Sequence, residues 1–403
     1  MKKILPILII TFFFYCNNSK TNKNQNQIKV SPPLNKTDAE KLKEELYKNY
    51  SLNLKLDRIQ EIENQIIKID NKELKYDIKI FGKEPIDGWS VYFSLHGGGS
   101  VPNAYNEKQW NRHKELYKLE EGILLTPRSP TNTWDMWHQE HIDIFFNKMI
   151  QNMIIFYNVN PNRVYLMGYS AGGDGVYQLA PRMADRFAAA AMMAGHPNDA
   201  SPLGLRNIGF TIHMGENDSA YNRNKVALGW EKKLTNLRKN DPEGYVHQVK
   251  IYKGKGHHIS HAKRKDLSRP HIDGLDSSGI SWISKFTRNP YPKKVVWKQD
   301  DVTHKRFYWL KVNKPQNNSL IIASINNQTI TIEQTTLSDI VIRLNDNLIN
   351  MDKNVIVKYL GKEIFNGMVF RNRKTISNSI KEYGDPKSIY FGEIPISLNN
   401  IKI

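Results

Sequence analysis

The stretch of sequence that decides the fold reads Arg163-Val164-Tyr165-Leu166-Met167-Gly168-Tyr169-Ser170-Ala171-Gly172-Gly173. A short apolar run leads into Gly-x-Ser-x-Gly, and helix-compatible sequence follows, so the stretch predicts a strand, a sharp turn and a helix. Such a turn holds its serine hydroxyl above the edge of a sheet, and only small residues fit where strand and helix pinch together. Ser170 is therefore the candidate nucleophile. The alternative is an ordinary glycine-rich turn, so the rest of the sequence must decide.

Size and composition predict one large domain and one smaller domain. The chain has 403 residues, of which 39% are hydrophobic, so a sizeable core is available. Its formal net charge is +18, but the lysines are scattered along the sequence. Scattered lysines favour compositional drift over a nucleic-acid surface, and we expect no nucleic-acid partner. The chain has one cysteine, Cys16, so no internal disulfide can form.

Residues 1–16 have the pattern of an export signal. Two lysines precede an apolar run from Ile4 to Tyr15, which is short for a membrane span, and polar residues follow Cys16. The cysteine at the end of this run resembles the lipidated cysteine of a bacterial lipoprotein signal. We expect a protein of the cell envelope that is anchored to the membrane by a lipid on Cys16, or is otherwise periplasmic or secreted. Residues 17–36 are rich in Asn, Lys and Ser and predict a flexible tether.

Two regions of different texture follow the tether. Between residues 37 and 290 apolar strands alternate with helical patterns, which predicts a mostly parallel sheet with helices on both faces. Its first helix is expected to start at a capping box, Thr37-Asp38-Ala39-Glu40, and to run to about Tyr50. Residues 295–403 contain short β-rich runs separated by turn residues, without helical periodicity. They predict a small all-β domain of sandwich type.

A glycine-rich turn upstream of Ser170 could stabilise an oxyanion. The sequence His96-Gly97-Gly98-Gly99 follows a buried strand predicted from Val91 to Leu95. Glycines in this position let backbone N–H groups point into a cavity without obstruction by side chains. Together with the N–H of Ala171 they could hold the oxyanion of an acyl-transfer intermediate.

A candidate carboxylate lies in Met214-Gly215-Glu216-Asn217-Asp218, at the end of a predicted strand. The carboxyl end of that strand lies on the side of the sheet where the turn presents Ser170, so a carboxylate there can orient a histidine. Asp218 is preferred to Glu216 because the turn needs a residue or two before a side chain points back into the cleft. The alternative role for Asp218 is to cap the helix that follows.

A candidate base lies in Gly254-Lys255-Gly256-His257-His258, on the loop after the next predicted strand. A histidine on a glycine loop can swing its ring over the serine and act as general base and then general acid. His257 is the first choice, with His258 and His261 as alternatives. Neither a cysteine nor a carboxylate joins these histidines at ligand spacing, so we expect no metal and no other cofactor.

The order Ser170, Asp218, His257 is the chain order of the α/β-hydrolase fold. These motifs are similar to those of the secreted polyhydroxybutyrate-depolymerase and feruloyl-esterase branch of that superfamily, and of the neighbouring prolyl-oligopeptidase-like peptidases. The resemblance covers about Tyr76 to Phe286. It implies an acyl-hydrolase mechanism in which His257 takes the proton of Ser170 and the N–H groups of Gly98 and Ala171 hold the oxyanion.

Several side chains are candidates for substrate binding. Trp134, Trp137 and His138 share one loop, where two indoles could grip an aromatic or sugar face or could simply pack the loop onto the body. Tyr169 and Tyr221 border the proposed site and could line an acyl pocket.

Two arginines, Arg128 and Arg223, could bind an anionic group of the substrate or form surface salt bridges.

The sequence therefore predicts an exported serine hydrolase that cleaves carboxylic esters of a small molecule or a polymer. A serine peptidase with the same three residues is the nearest alternative. A surface binding protein, with adhesion carried by the β domain, is the alternative from another class, and the complete set of catalytic residues argues against it.

Overall fold

The computed structural model of the protein describes residues 33–259 and 278–399. The predicted export signal with Cys16 and most of the predicted tether lie outside the described residues, as does His261. Along the two ranges that the structure describes, none of the helices combines the length and the apolar character needed to cross a membrane.

The first part of the chain builds an eight-stranded sheet with the order β1-β2-β4-β3-β5-β6-β7-β8. From β3 to β8 every neighbouring pair is parallel, and the two pairs that involve β2 are antiparallel. The predicted α/β-hydrolase sheet is thereby confirmed. The strands are β1 (Ile66–Ile69), β2 (Lys72–Phe81), β3 (Trp89–Leu95), β4 (Gly122–Arg128), β5 (Val159–Tyr169), β6 (Ala189–Met193), β7 (Gly209–Gly215) and β8 (His247–Tyr252).

Helices cover both faces of this sheet because successive side chains of a strand point to opposite sides. On β5, Val164 and Leu166 join one buried cluster, which contains residues of α3, α4 and α5. Tyr165 and Met167 join a second cluster, which contains residues of α2 and α6. The helices are α1 (Lys36–Glu63), α2 (Asn103–Leu116), α3 (Glu140–Tyr157), α4 (Ala171–Arg182), α5 (Arg223–Asn240) and α6 (Ser278–Ile283).

The first helix differs from its prediction at both ends. It begins at Lys36 rather than Thr37, because the side chain of Asn35 accepts a hydrogen bond from the Asp38 N–H at 2.9 Å and acts as the N-cap. It continues beyond Tyr50 to Glu63, since neither Gly nor Pro interrupts it and Leu54 is buried. Asn is at least as good an N-cap as Thr, and Asn35 comes before Thr37 in the chain. The helix therefore starts after Asn35.

The C-terminal part confirms the predicted β-rich region. Five strands form a sheet in the order β16-β15-β13-β12-β9, and four form a second in the order β10-β11-β14-β17. Most pairs are antiparallel, whereas β13 and β15 are parallel. The strands are β9 (Lys294–Lys298), β10 (Arg306–Phe307), β11 (Leu310–Lys311), β12 (Leu320–Asn326), β13 (Thr329–Thr335), β14 (Asp339–Leu344), β15 (Val355–Tyr359), β16 (Lys362–Gly367) and β17 (Gly392–Ser397).

One helix in this region, α7 (Arg373–Tyr383), was not predicted. It is amphipathic, with Ile376, Ile380 and Tyr383 buried at helical spacing. It also carries clear end signals: the side chain of Asn372 caps its N-terminus, and Gly384 ends it in a left-handed conformation. The helical spacing of apolar residues extends over only two turns and is surrounded by β-rich sequence, so it was not recognised as a helix.

Buried polar contacts join the C-terminal region to the part of the chain that carries the eight-stranded sheet. The Asp385 carboxylate lies 2.6 Å from Arg288 and 3.5 Å from Arg186, and all three side chains are almost wholly buried. The Tyr308 hydroxyl donates to the carbonyl of Ala184 at 2.9 Å. Because an unpaired buried charge is costly, these pairs tie the two regions in one arrangement.

Candidate active site

Ser170 lies at the turn between β5 and α4, with φ of +58° and ψ of −125°. Its N–H donates to the carbonyl of Met193 at 3.0 Å, and its carbonyl accepts from the Asp174 N–H at 2.9 Å. A Cβ atom added to Gly172 would lie 2.0 Å from the carbonyl oxygen of Leu95. The strained serine is thus held by backbone hydrogen bonds, in a turn that has no room for a larger neighbour.

The structure brings the serine, the histidine and the aspartate together. His257 Nε2 lies 3.0 Å from Ser170 Oγ, and His257 Nδ1 lies 2.8 Å from Asp218 Oδ2. Asp218 is buried. Because a carboxylate accepts but does not donate, we assign the imidazole proton to Nδ1, which leaves Nε2 able to accept the proton of Ser170.

The loops that carry the aspartate and the histidine are packed against one another. The Asn217 N–H donates to the carbonyl of Lys255 at 2.7 Å, and a Cβ atom on Gly215 would meet the carbonyl oxygen of Gly256 at 2.0 Å. The carboxylate partner of His257 is Asp218, whereas the carboxylate of Glu216, the alternative acid, accepts from the Gly254 N–H at 2.7 Å. Glu216 therefore braces the histidine loop from outside the catalytic contact.

The alternative bases differ in position. His258 lines the cavity beside Ser170, and its ring centre is 5.9 Å from that of His257. His261 lies outside the described residues. Among the described histidines, the hydrogen bonds to both Ser170 and Asp218 belong to His257.

The turn after β3 has the form that an oxyanion hole requires. Gly98 and Gly99 have φ of +127° and +100°, which L side chains rarely adopt. Ala171 is the first residue of α4, where backbone N–H groups have no partner within the helix. Gly98 and Ala171 both border one cavity beside Ser170.

His96 orients this turn. Burial lowers the pKa of its imidazole to about 3, so the ring is neutral. Its Nδ1–H donates to the carbonyl of Gly97 at 2.7 Å, and its Nε2 accepts from the Ser129 N–H at 3.2 Å. Since N–H and C=O point in opposite directions in a trans peptide, the N–H of Gly98 faces away from the imidazole.

Two cavities meet at Ser170. The first has a volume of about 280 Å³ and the second about 570 Å³, and both are also bordered by Gly98. The first contains apolar and aromatic side chains, among them Val101, Tyr105, Leu116 and Tyr169. It also has polar groups, such as Gln109 and Arg112. The second likewise mixes apolar and polar side chains, with Trp134, Asp174, His196, Asn198, Tyr221 and Arg223.

Three of the predicted substrate-binding side chains lie at these cavities. Tyr169 borders the first, and its hydroxyl donates to the carbonyl of His257 and accepts from the Ile259 N–H. It therefore also fixes the histidine loop, and burial raises the pKa of its phenol to about 12. Trp134 and Tyr221 border the second cavity, with 61% and 76% of their surfaces exposed.

The other two predicted substrate-binding residues, Trp137 and His138, do not border the cavities at Ser170. Trp137 is fully buried and its Nε1–H donates to the carbonyl of His96 at 2.9 Å, so the prediction that it grips substrate is wrong. Its indole packs the loop onto the body, as the alternative held. His138 borders a different cavity, shared with Asp301, and burial lowers its pKa to about 4. The cavity that His138 borders shares Trp134 and Asn198 with the second cavity at Ser170.

The two candidate arginines, Arg128 and Arg223, lie in different environments. Arg128 is buried in an ion pair with Glu107 at 2.9 Å, so it is not available to an anionic substrate. Arg223 borders the second cavity, lies 3.6 Å from Asp218 Oδ1 and stacks on the ring of Tyr221. It therefore pairs with the candidate catalytic carboxylate and is open to the cavity.

Asp174 is a site residue that the sequence analysis missed. It lies in the first turn of α4, borders the second cavity, and accepts a hydrogen bond from the His196 N–H at 2.6 Å. Burial raises the pKa of its carboxyl to about 6, against the opposing hydrogen bond from that N–H. It follows the Gly-Gly pair of the elbow directly, and that position was the available signal.

A metal site is not apparent in the described part of the chain. In residues 33–259 and 278–399 there is no group of three or more His, Cys, Asp or Glu side chains that could hold an ion. The expected absence of a cofactor stays a prediction.

The chain is similar to known esterases in part of its sequence. Residues 104–283 match the dienelactone hydrolase family. A curated relative, the bifunctional acetylxylan esterase/xylanase XynS20E of Neocallimastix patriciarum, is 32% identical over 140 residues, which are 34% of this chain and 20% of that protein. The chain thus spans about one fifth of the length of that relative.

Two esterases are among the solved structures with similar folds. A thermostable esterase has a TM-score of 0.39 and 18% identity, covering 56% of this chain and 63% of the other. A ferulic acid esterase has a TM-score of 0.33 and 16% identity, covering 48% of this chain and 90% of the other. These scores are too low to carry an argument about function.

The family match and the curated relative agree with the prediction of a carboxylic-ester hydrolase. Together with the sheet order, the match over residues 104–283 confirms that the chain contains an α/β-hydrolase fold.

Proposed function

We propose that the protein is a serine hydrolase that cleaves carboxylic esters through an acyl-enzyme intermediate. The observation that carries the proposal is the hydrogen-bonded series from Ser170 Oγ to His257 to Asp218, at 3.0 Å and 2.8 Å. This series lies at the meeting point of two cavities that are also bordered by Gly98. A nucleophile, its base and an orienting acid in this relation are the arrangement that acyl transfer requires.

The residues have distinct roles in the proposed reaction. Ser170 attacks the ester carbonyl while His257 Nε2 accepts its proton, and Asp218 stabilises the imidazolium that forms. The N–H groups of Gly98 and Ala171 donate to the oxyanion. His257 then gives its proton to the departing alcohol, and water, activated by the same imidazole, releases the acid.

The cavities support a substrate that presents both apolar and polar groups. The first cavity offers aliphatic and phenolic surface beside polar groups such as Arg112. The second offers an exposed indole, Trp134, beside Asp174 and Arg223. An indole face beside hydrogen-bonding side chains suits a sugar or an aromatic ring. One similar protein is named an acetylxylan esterase, so an acetylated carbohydrate is one substrate to try.

The proposal is tested by comparing matched ester and amide substrates. We expect the purified protein to release p-nitrophenol from short acyl esters and to leave the corresponding p-nitroanilides intact. The alcohol leaving group departs readily from the tetrahedral intermediate, whereas the amine must be protonated first. Faster turnover of the anilides would favour the peptidase, and turnover of neither under any condition would contradict the hydrolase.

We also propose that the protein is exported and that a lipid on Cys16 anchors it to a membrane. The support is the charged start, the apolar run and the cysteine at its end. In a bacterial host fed labelled palmitate, the wild type should take up label and sediment with membranes, and Cys16→Ala should do neither. Equal labelling of the two would contradict lipidation at this residue.

A further inference from the structure

A buried asparagine on α2 reaches the glycine turn. Asn106, the fourth residue of α2, is fully buried although its side chain is polar. Its Oδ1 accepts from the Gly99 N–H at 3.0 Å, and its Nδ2 donates to the carbonyls of Gly99 at 3.1 Å and Val101 at 3.0 Å. Both polar groups of one residue of the turn are thus bound by one side-chain amide.

These contacts fix the glycine that supplies the oxyanion donor. The Gly98–Gly99 peptide is held through its N–H by Asn106, and the Gly97–Gly98 peptide is held through its carbonyl by His96. Gly98 therefore has both of its flanking peptide planes fixed. The asparagine also packs on it, since a Cβ atom at Gly98 would lie 2.1 Å from Asn106 Oδ1.

Without this support the turn would have considerable freedom. Three consecutive glycines have a wide choice of backbone conformations, and the positive φ values of Gly98 and Gly99 are two among many. An oxyanion donor works only if its N–H already points to the place where charge develops. A rigid, fully hydrogen-bonded amide in the interior supplies that order before the substrate arrives.

We propose that Asn106 is a positioning residue for the oxyanion hole, an inference that rests on the ester hydrolase function proposed above. Asn106 does not border either cavity at Ser170, so it acts on the reaction through Gly98 and Gly99. Its amide holds the turn in the form that leaves the Gly98 N–H free for the oxyanion.

The test replaces the amide with apolar side chains and separates kcat from KM. Asn106→Leu keeps the approximate volume and removes all three hydrogen bonds, and Asn106→Ala removes them without added bulk. We expect kcat to fall by about 100-fold, the size of the loss of one oxyanion donor, while KM changes by less than about threefold. The reason is that the oxyanion exists in the transition state and not in the bound ester.

A matched control lies one turn earlier on the same helix. Asn103 is also an asparagine of α2, but its Oδ1 accepts from Arg128 and Asn132 instead of the glycine turn. Asn103→Ala should leave kcat within about threefold of the wild type, since its loss is that of ordinary polar contacts.

A second readout isolates the oxyanion. A short alkyl trifluoromethyl ketone forms a tetrahedral alkoxide with the serine and so resembles the transition state. Its inhibition constant should rise in the Asn106 variants in step with the loss of kcat/KM, and should not change in Asn103→Ala. A purely structural role would not make these two quantities move together.

Three results would overturn the inference. One is a folded Asn106 variant with wild-type kcat, and another is a loss of kcat without weaker binding of the ketone. The third is failure of both variants to fold while Asn103→Ala folds, which would assign the amide to the stability of the body. The function proposed for the site fails separately, if the wild type itself does not turn over esters.

Discussion

Ser170→Ala is expected to lower kcat/KM for the best p-nitrophenyl ester by about a million-fold, the loss seen when the nucleophile of a triad is removed. The alanine fits the turn, because it retains the Cβ of serine and needs no further space in the gap between β5 and α4. The N–H groups of Gly98 and Ala171 and the ring of His257 stay in place, so substrate binding should change little. Release of p-nitrophenol at saturating substrate measures kcat, and release at limiting substrate measures kcat/KM.

A control variant shows that the loss is specific to this hydroxyl. Ser338 lies in the C-terminal region just before β14, and its hydroxyl donates to Asp339. Ser338→Ala should therefore retain wild-type activity. If Ser170→Ala kept more than about one hundredth of the activity, a different nucleophile or a different site would carry the reaction.

Asp218→Asn is expected to lower kcat by about ten-thousand-fold. The amide preserves the shape of the buried side chain, but it no longer stabilises the imidazolium, and its NH₂ group can force the His257 ring into the wrong tautomer. The side chain is also shared with Arg223, at 3.6 Å, so the variant leaves that cation without its partner. Kinetics at several pH values, with unfolding measured in parallel, separate the catalytic from the structural effect.

The adjacent carboxylate offers the matched comparison. Glu216→Gln changes the same functional group two residues away, where the side chain accepts from the Gly254 N–H, while Asp218 accepts from His257. A glutamine oxygen can still accept that bond, so activity should stay within about fivefold of the wild type. A larger loss from Glu216→Gln than from Asp218→Asn would reverse the assignment of the acid.

The parts of the site that were predictable from sequence are those fixed by local sterics. The elbow at Ser170 needs small residues because Gly172 lies against the carbonyl of Leu95. This requirement appears in the sequence as a short motif of adjacent residues. The carboxyl ends of parallel strands meet at one edge of the sheet, so the order of β5, β7 and β8 is enough to place Ser170 near the loops of Asp218 and His257.

The parts that were not predictable depend on which side of a loop faces the body. Trp134 and Trp137 are three residues apart in one loop, yet the first is exposed and the second is wholly buried. Arg128 ends a buried strand and is neutralised by Glu107 from α2, which composition does not reveal. Such outcomes follow from tertiary packing, where one neighbour decides between a binding role and a structural one.

The same limit hid Asn106 and the full length of α1. The partners of Asn106 are backbone groups, which every residue has, so no sequence pattern reveals the contact. The second half of α1 is stabilised by its contact with the rest of the fold, through Leu54 and the hydrogen bond from Arg58 to Asn152. A capping motif marks where a helix can start, but packing determines how far it continues.

The most direct test of the account is labelling of the native protein with a fluorophosphonate, followed by mass spectrometry of its peptides. A serine activated by His257 and Asp218 reacts with this reagent, whereas ordinary serines do not. We expect one adduct per chain, on the peptide that contains Ser170, and its loss in a His257→Ala variant. An adduct on any other serine, or none in a folded protein, would contradict it.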